Sequence, residues 1–411
     1  MSKIKYLIGL LVMALTMSSC TSLYQKAESK YQSAEYNAAI PLFQKYMAEH
    51  PEKGAELNYK IGQCYTLSNR VGAAEEFYKK ALTATDLKTA QKDSLKFYYA
   101  QSLKANKKYK EALKAFEDYS HNSTNFEFQE RTKTEIKNLK NIDDILKKES
   151  KISINLCEDI NTKGSEFSPT IWQDKLVFSS NRRKEETFET TGNGFHDLYL
   201  YELTEGENCK GTASLFAPNI NTDAVHDASA TFTPDGNTMI FARSGTGSKK
   251  DNETEVSLYV SKRNSQGWSA PVVLQGISRI AESADDRKKN RWDGTPFISP
   301  DGKTLYFASN RLGGEGGLDI WKATRSESGG WGLPENMGKE INTTGNEMFP
   351  TISEKGEFIF ASDGHAGLGG LDIFTFKGGK VENIGVPVNS NADDFGLIYK
   401  DDSAGYFVSK R

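Results

Sequence analysis

The sequence is poor in the residues from which most catalytic and metal sites are built. Its 411 residues include only five histidines and four cysteines, and these are scattered without the spacing of a metal site. His-Glu-x-x-His and Gly-x-Ser-x-Gly are both absent, which excludes two common hydrolase signatures. We therefore predict no catalytic residues, no metal site and no cofactor.

The sequence also lacks a large excess of either positive or negative charge. The chain has 52 basic and 55 acidic residues, for a formal net charge of -3. Domains that bind nucleic acid are usually strongly basic. We therefore expect no nucleic-acid partner, and we interpret the mixed surface as a solvated one. The basic run at Lys104, Lys107, Lys108 and Lys110 is likewise interpreted as a solvated face.

The chain opens with a short apolar run, residues 6 to 17, which follows Lys3 and Lys5 and precedes Cys20. This order is typical of an export signal, and the run is too short for a permanent bilayer span. A cysteine at the cleavage point resembles the lipobox of bacterial lipoproteins, although Met17 replaces the usual leucine. The resemblance implies a signal peptide over 1–20 and acylation of Cys20. The alternative is an ordinary secretory signal in which Cys20 is incidental.

Three cysteines remain in the mature chain. Cys64 lies in a helical apolar pattern and is interpreted as a small buried hydrophobe. In the oxidising compartment that export implies, Cys157 and Cys209 are candidates for a disulfide. The sequence leaves the alternative of two free thiols open, because it does not give the distance between them.

Residues 21–150 have helical periodicity and almost no glycine or proline. Ala39 and Ala73 are 34 residues apart, as are Phe43 and Phe77. This period resembles that of tetratricopeptide repeats. The resemblance implies an α-solenoid with a concave groove for a peptide or partner protein. A generic helical bundle is the alternative, but it does not explain the spacing.

Residues 151–411 are richer in glycine and contain a repeated phrase. A hydrophobic strand ending in phenylalanine recurs at 176–178, 239–241, 305–307, 358–360 and 405–407. A connector of the form aliphatic-Asn-Thr/Ser precedes four of the repeats, centred on Asn161, Asn221, Asn342 and Asn389. Units of this size must stack on copies of themselves to bury an apolar face. The sequence therefore predicts an all-β propeller of about five to six four-stranded blades.

These phrases resemble the TolB-type, WD40-like propellers of bacterial envelope proteins. The order of lipoprotein signal, helical repeats and propeller is similar to that of Bacteroidetes envelope proteins, in particular the PorE-like components of type IX secretion and gliding. In those relatives an OmpA-like, peptidoglycan-binding domain follows the propeller, and nothing in 151–411 matches it. Contact with peptidoglycan is therefore implied by resemblance alone.

Glycine-rich segments at 192–194, 314–316 and 367–369 look like the start of a dinucleotide-binding fingerprint. An aspartate occupies the third glycine position each time, and a strand pattern follows where a phosphate-binding helix is required. These aspartates are Asp197, Asp319 and Asp372. We interpret the segments as loops between strands and the aspartates as scaffold positions.

The fifth repeat stops after its phenylalanine strand, so the propeller is expected to be incomplete at its C-terminus. The natural chain is expected either to continue beyond Arg411 or to be represented here by a fragment. A strand over residues 152–156 is expected to pair with the last blade and close the ring, by analogy with other propellers.

The leading hypothesis is a non-enzymatic scaffold on the periplasmic face of the outer membrane, anchored through Cys20. It would bind other envelope proteins through the helical groove and a propeller face. A second hypothesis is a glycan- or peptidoglycan-binding module, with Trp268, Trp292 and Trp331 as candidates, although Trp268 and Trp331 are better explained as blade packing. A third, a propeller hydrolase, requires two carboxylates in the central channel.

Overall fold

The structure is a computed structural model. It describes residues 22–33, 35–83, 89–123, 128–148, 152–183, 187–188, 193–203, 209, 211–222, 225–244, 255–278, 291–327, 329–401 and 404–411. The proposed signal peptide and Cys20 lie outside the described residues. Two compact units divide between Leu95 and Lys96. This division falls inside a helix and well before residue 151, where the sequence changes from helical to strand periodicity.

The described part of the chain forms eight α-helices before the first strand. Their bounds are Leu23–Gln32, Tyr36–Glu49, Gly54–Leu67, Glu75–Leu82, Thr89–Ala105, Tyr109–Asn122, Gln129–Lys140 and Ile142–Lys147. Short 3-10 turns occupy Pro51–Lys53 and Val71–Ala74. No helix in these ranges is long and apolar enough to cross a bilayer.

In the first unit, small and aromatic residues pack where the helices approach one another. Ala39 and Phe43 are fully buried. The equivalent buried pair in the next repeat is Ala74, which ends the second 3-10 turn, and Tyr78 of the helix Glu75–Leu82, whereas Ala73 is exposed. The expected register is therefore wrong by one residue there, because the 3-10 turn over 71–74 changes the phase of the helix that follows.

The last helices belong to the same compact unit as the strands. Phe97, Phe116, Tyr119 and Phe128 form a core together with Leu368, which comes from a loop of the strand region. Hydrogen bonds add to this packing, from Asn391 Nδ2 to the Ala105 carbonyl (2.7 Å) and from Lys148 Nζ to the Asn383 carbonyl (2.7 Å). These helices are thus docked on the strand region.

One expected surface residue is buried among these helices. Lys104 is 5% exposed and forms a 2.8 Å ion pair with Glu135. The interpretation of Lys104 as part of a solvated face is therefore wrong. A buried charge needs a partner, and Glu135 supplies it.

Residues 166–409 form five consecutive antiparallel sheets, numbered here in chain order. Sheet 1 contains Glu166–Trp172, Lys175–Ser180, Asp197–Glu202 and Ser214–Leu215. Sheet 2 contains Asp227–Phe232, Thr238–Ser244, Val256–Asn264, Gly267–Trp268 and Val272–Val273. Sheet 3 contains Asp293–Ile298, Thr304–Ser309, Asp319–Thr324 and Glu335–Asn336. Sheet 4 contains Glu347–Ile352, Phe358–Ser362, Asp372–Lys377 and Lys380–Asn383. Sheet 5 contains Asp394–Tyr399 and Gly405–Ser409. A separate hairpin pairs Thr187–Phe188 with Asn193–Gly194.

The five sheets form a closed ring. The first strand of each sheet contacts the first strand of the next, and the first strand of sheet 5 contacts that of sheet 1. A hydrophobic cluster fills each of the five spaces between neighbouring sheets. The fold is therefore a helical region followed by a β-propeller, as predicted, and the described residues supply five blades.

Ring closure differs from the expected mechanism. Residues 152–156 form no strand, and Ile152, Ile154 and Leu156 are 50%, 37% and 71% exposed. The expectation of a closing strand over 152–156 is therefore wrong. Sheets 5 and 1 instead meet through side chains, with Ile398 and Tyr406 packed against Phe178 and Tyr199.

Each innermost strand has a bulge at the same place. One residue in each has a positive φ of 45° to 67°, namely Ser168, Ser229, Thr295, Phe349 and Gly396. The pairing register of the strand shifts at that residue in all five sheets. A left-handed residue of this kind is typical of a bulge, which bends the strand and increases its twist.

Candidate functional site

A polar network recurs at the start of each innermost strand. In sheet 2, Asp227 accepts from Arg243 Nε (2.6 Å) and from the Thr222 amide (3.3 Å), while Arg243 also donates to the Ile220 carbonyl (2.7 Å). The carboxylate thus joins the strand to the connector that precedes it. The equivalent acids of the other sheets are Glu166, Asp293, Glu347 and Asp394, each bonded to a serine that ends the second strand or to the arginine after it.

Sheet 4 departs from this pattern. Glu347 accepts from Ser362 (2.6 Å) and Thr343 (2.7 Å), but His365 replaces the arginine and contacts the Ile341 carbonyl at 2.7 Å. Burial raises the pKa of Glu347 to about 7, as expected of a buried carboxyl group without a cationic partner. The network remains a structural one, since its polar atoms are bonded within the blade.

The asparagines of the connectors make a second set of hydrogen bonds that recurs from sheet to sheet. Asn221 accepts from the Leu198 amide (2.7 Å) and donates to the Leu198 carbonyl (3.1 Å). Asn342 makes the same two bonds with Ile320, and Asn389 with Ile373. Each asparagine therefore holds the third strand of the preceding sheet. The sequence revealed the repeated asparagine but not the strand that it binds.

The glycine-rich segments at 314–316 and 367–369 are loops between the second and third strands, whereas Gly192 lies outside the described residues and Asn193–Gly194 is a strand of the separate hairpin. A strand follows each, at Asp197, Asp319 and Asp372, which confirms the interpretation that they are not dinucleotide-binding turns. Asp319 accepts from the amides of Glu315 (2.5 Å) and Gly316 (3.1 Å). These bonds fix the shape of the loop and support a scaffold role for the aspartate.

Two of the scattered histidines meet between sheets 1 and 2. His196 and His226 approach with 2.9 Å between their Nδ1 atoms, and the His196 amide donates to His226 Nδ1 (3.1 Å). Burial lowers the pKa of His196 to about 3 and that of His226 to about 4. No third ligand joins them, since the described residues contain no group of three potential metal ligands.

The central channel is lined by three consecutive residues from each innermost strand: 168–170, 229–231, 295–297, 349–351 and 396–398. None of these fifteen side chains is ionisable. The cavity volume is about 40 Å³, far below the several hundred Å³ of a typical ligand pocket. A pair of catalytic carboxylates, which the hydrolase hypothesis requires, is therefore lacking from the described channel lining.

The three candidate tryptophans lie in different places. Trp268 is buried between sheets 1 and 2 beside Trp172, and Trp331 packs against the cluster between sheets 2 and 3. These contacts support blade packing for both. Trp292 covers Gly294 at the start of the innermost strand of sheet 3, where a Cβ atom would overlap the indole ring. The structure does not bring the three together as an aromatic platform.

The cysteines of the strand region are paired. Cys157 and Cys209 form a disulfide with an S–S distance of 2.01 Å and a Cα–Cα distance of 5.1 Å. Both pack against the cluster between sheets 5 and 1. Cys64 is a buried free thiol, and burial raises its pKa to about 12.

In the first unit, one face shared by the helices Leu23–Gln32 and Gly54–Leu67 is lined by polar and aromatic side chains. Lys60 pairs with Glu28 (2.7 Å), and its ammonium lies 5.2 Å from the centre of the Tyr31 ring. Tyr24 donates to Glu56 (3.2 Å), and burial raises its pKa to about 12. These half-buried groups make a mixed surface of the kind that suits a peptide or protein partner.

No protein-family model matches the chain, and no curated protein matches it. Among solved structures it is similar to a putative TolB from Agrobacterium tumefaciens, with 18% identity and a TM-score of 0.31 over 51% of this chain and 61% of that one. It is also similar to TolB from Acinetobacter baumannii, with 15% identity and a TM-score of 0.35 over 60% and 52% of the two chains. A third is a Trypanosoma rangeli sialidase in complex with sialic acid, with 14% identity and a TM-score of 0.34 over 60% and 52%. The chain thus spans about half to three-fifths of these proteins.

Proposed function

We propose that this chain is a non-enzymatic scaffold that binds partner proteins at the periplasmic face of the outer membrane. Acylated Cys20 would be its anchor. The helical face around Lys60 and the loops of the propeller would be its two binding surfaces. Other envelope proteins, in particular those of a type IX secretion or gliding assembly, would be its partners.

The observation that carries this proposal is that the polar groups of the propeller are hydrogen-bonded to one another. The carboxylates at the starts of the strands are bonded to serine, threonine or arginine of the same blade. The described channel lining has no ionisable group. Catalysis needs positioned groups that can exchange protons with a substrate. The carboxylates at the starts of the strands are instead hydrogen-bonded within their own blades.

A glycan-binding module is the second candidate. Such a site usually needs aromatic side chains that converge on one surface. Trp292 is half-buried at the start of an innermost strand, but Trp268 and Trp331 are engaged in blade cores. The scaffold hypothesis is therefore favoured.

The proposal is tested by site-specific photo-crosslinking in the native cell followed by mass spectrometry. A photoreactive residue at Gln63, on the face that carries Lys60, is expected to capture an envelope protein. The same group at Lys45, an exposed residue of another helix, serves as the matched control. Equal capture at both sites, or no capture at Gln63 in membrane-bound protein, would contradict the role of this face.

The anchor is tested separately by Cys20→Ser. This substitution removes the thiol that would be acylated, and the acyl chains supply the binding energy for the membrane. We expect the protein to move from the outer-membrane fraction to the soluble periplasm. Retention of the variant in the membrane fraction would refute the lipid anchor.

A further inference from the structure

The loop that docks the last helices on the propeller also carries a buried acid. These docked helices comprise residues 96–147, and they meet the propeller at Leu368, in the glycine loop before the third strand of sheet 4. Leu368 is 1% exposed and packs in one cluster with Phe97 and Phe116. Asp372, four residues further on, begins that third strand and is fully buried. The docking contact and the acid therefore belong to one short segment.

The equivalent aspartate of sheet 3 is hydrogen-bonded at both oxygens, whereas Asp372 is not. Asp319 accepts from two loop amides and from Asn336 Nδ2 (2.8 Å). Asp372 Oδ2 accepts from the Gly369 amide (3.0 Å), but its Oδ1 has no hydrogen-bond partner in the part of the chain that the structure describes. Asn383, which replaces Asn336 in sheet 4, donates to a loop carbonyl (3.1 Å) instead. A buried carboxylate oxygen without a donor disfavours the ionised form.

Three ionisable groups on neighbouring elements interact with the charge of Asp372. Lys104 of the docked helices attracts it, but this lysine is buried and paired with Glu135 at 2.8 Å. Asp394, at the start of sheet 5, adds a like charge. Burial, and next the charge of Asp372, raise the pKa of Tyr109 on the following docked helix. Burial outweighs the attraction of Lys104 and raises the pKa of Asp372 to about 7.

We propose that one proton on Asp372 controls the docking of these helices on the propeller. The neutral acid is compatible with burial under the helices, whereas the ionised acid is stabilised when the helices lift and water reaches it. On lifting, the pKa of Asp372 returns from about 7 toward its ordinary 3.8. Docking is therefore strongest below about pH 4, weakens as the pH rises to about 7, and stays at its weakest above that.

Two other titrating groups of sheet 4 must be separated from Asp372. Burial raises the pKa of Glu347 to about 7 and lowers that of His365. A lowered histidine pKa removes stability as the pH falls, which is the opposite sign. Glu347 has the same sign as Asp372, but it accepts from Ser362 (2.6 Å) and Thr343 (2.7 Å) of its own blade. Glu347 is therefore the matched buried acid for comparison.

The test is hydrogen exchange in the full chain between pH 5 and pH 8.5, read by mass spectrometry at the amides of Leu368 and Gly369. Dividing each rate by the intrinsic rate at that pH gives the equilibrium constant for opening. We expect this constant to rise about tenfold per pH unit up to pH 7 and to level off above about pH 7.5. The strand Thr238–Ser244 of sheet 2 reports global unfolding and should not follow the rise.

Four variants assign the effect. Asp372→Asn keeps the shape of the side chain without a titrating proton, so its opening constant should not change between pH 5 and pH 7. Asp319→Asn makes the same change where the carboxylate is fully bonded, and it should keep the rise of the parent, as should Glu347→Gln. Leu368→Ala removes the docking side chain and should raise the constant at every pH by about thirtyfold or more, with an unchanged slope.

A flat profile in the parent would overturn the proposal, as would a profile for Asp372→Asn as steep as that of the parent. Loss of the slope in Asp319→Asn or Glu347→Gln would assign the proton to another group. An opening constant unchanged by Leu368→Ala would mean that exchange reports a local motion of the loop, and a rise shared by Thr238–Ser244 would mean global unfolding. If Asp372→Asn does not fold, the profiles of the parent, Glu347→Gln and Leu368→Ala still decide the question.

Discussion

At the scale of single residues, the connector asparagines show how one amide group organises a blade. Asn342 is buried and holds both backbone groups of Ile320, with distances of 2.8 and 3.0 Å. Those groups lie at the start of a third strand, where Asn342 supplies the acceptor for the amide, and the carbonyl also accepts from the Met337 amide (3.0 Å). A buried amide or carbonyl left without a partner is costly.

We predict that Asn342→Ala lowers the free energy of unfolding by about 2 kcal/mol, because Ile320 loses two hydrogen bonds in a buried place. Asn161→Ala, at the equivalent exposed position, should change it by less than about 0.5 kcal/mol. Urea denaturation of both variants measures the difference. Similar losses in the two would mean that the asparagine stabilises its own turn and not the neighbouring strand.

The paired histidines are a second residue-scale feature with a measurable consequence. Burial holds the pKa of His196 at about 3 and that of His226 at about 4, below the usual 6.5. The unfolded chain therefore binds protons at these sites before the folded protein does. Stability that is present above pH 6.5 is lost as the pH falls toward 4.

We predict that His226→Asn reduces this loss. Asparagine occupies the equivalent position 346, where its Oδ1 accepts from the Leu318 amide (3.1 Å), so the variant keeps an acceptor for the His196 amide. Each such histidine contributes a slope of up to about 1.4 kcal/mol per pH unit. Chemical denaturation between pH 7 and pH 4.5 should therefore give a shallower decline for the variant, and an unchanged decline would contradict this account.

At the scale of elements, the glycine loops connect neighbouring blades by close backbone approach. A Cβ atom at Gly369 would overlap the carbonyl oxygens of Ser390 and Ala392, in the connector between sheets 4 and 5. A Cβ atom at Gly316 would overlap the Thr343 carbonyl oxygen in the same way. The glycines serve the contact between blades, and not a phosphate group.

We predict that Gly369→Ala destabilises the protein by about 1–3 kcal/mol, as expected of overpacking. Gly330→Ala is the matched control, since the nearest atom to its Cβ would be Ser326 Oγ at 3.7 Å, an ordinary contact. Thermal unfolding distinguishes the two variants. A control as unstable as Gly369→Ala would show that the overlap at Gly369 is not the cause, because loss of unfolded-state entropy on Gly→Ala acts in the stabilising direction.

The elements also show what the sequence could predict. The five phenylalanine strands and the scaffold aspartates could be predicted because the same residue types recur at matching positions of the repeats. The register of Ala74 was missed because a 3-10 turn changes the phase of a helix without leaving a clear signal. The meeting of His196 with His226 was missed because it depends on the ring of sheets, which brings together residues from different repeats.

At the scale of the whole molecule, the described residues close the ring without a strand shared between its first and last blades. The contact between sheets 5 and 1 depends on a hydrophobic cluster that includes Cys157 and Cys209. Their disulfide links positions 52 residues apart. It therefore restrains the connector that lies at the closing interface.

We predict that Cys157→Ser with Cys209→Ser lowers the free energy of unfolding by about 2–4 kcal/mol, the usual range for a loop of this size. A reducing agent should lower the stability of the parent by the same amount and leave the double variant unchanged. Cys64 is buried and far from titrating, so Cys64→Ala should remain sensitive to reduction. Equal stability of parent and double variant would show that the bridge does not support closure.

The bulges of the innermost strands have a consequence for how proteins of this shape are recognised. The five left-handed positions are occupied by serine, serine, threonine, phenylalanine and glycine, so the side chain there ranges from a single hydrogen atom to an aromatic ring. What the five positions share is a backbone conformation with positive φ. Searches that compare backbone conformation position by position should therefore detect kinship among such chains long after their residues have diverged.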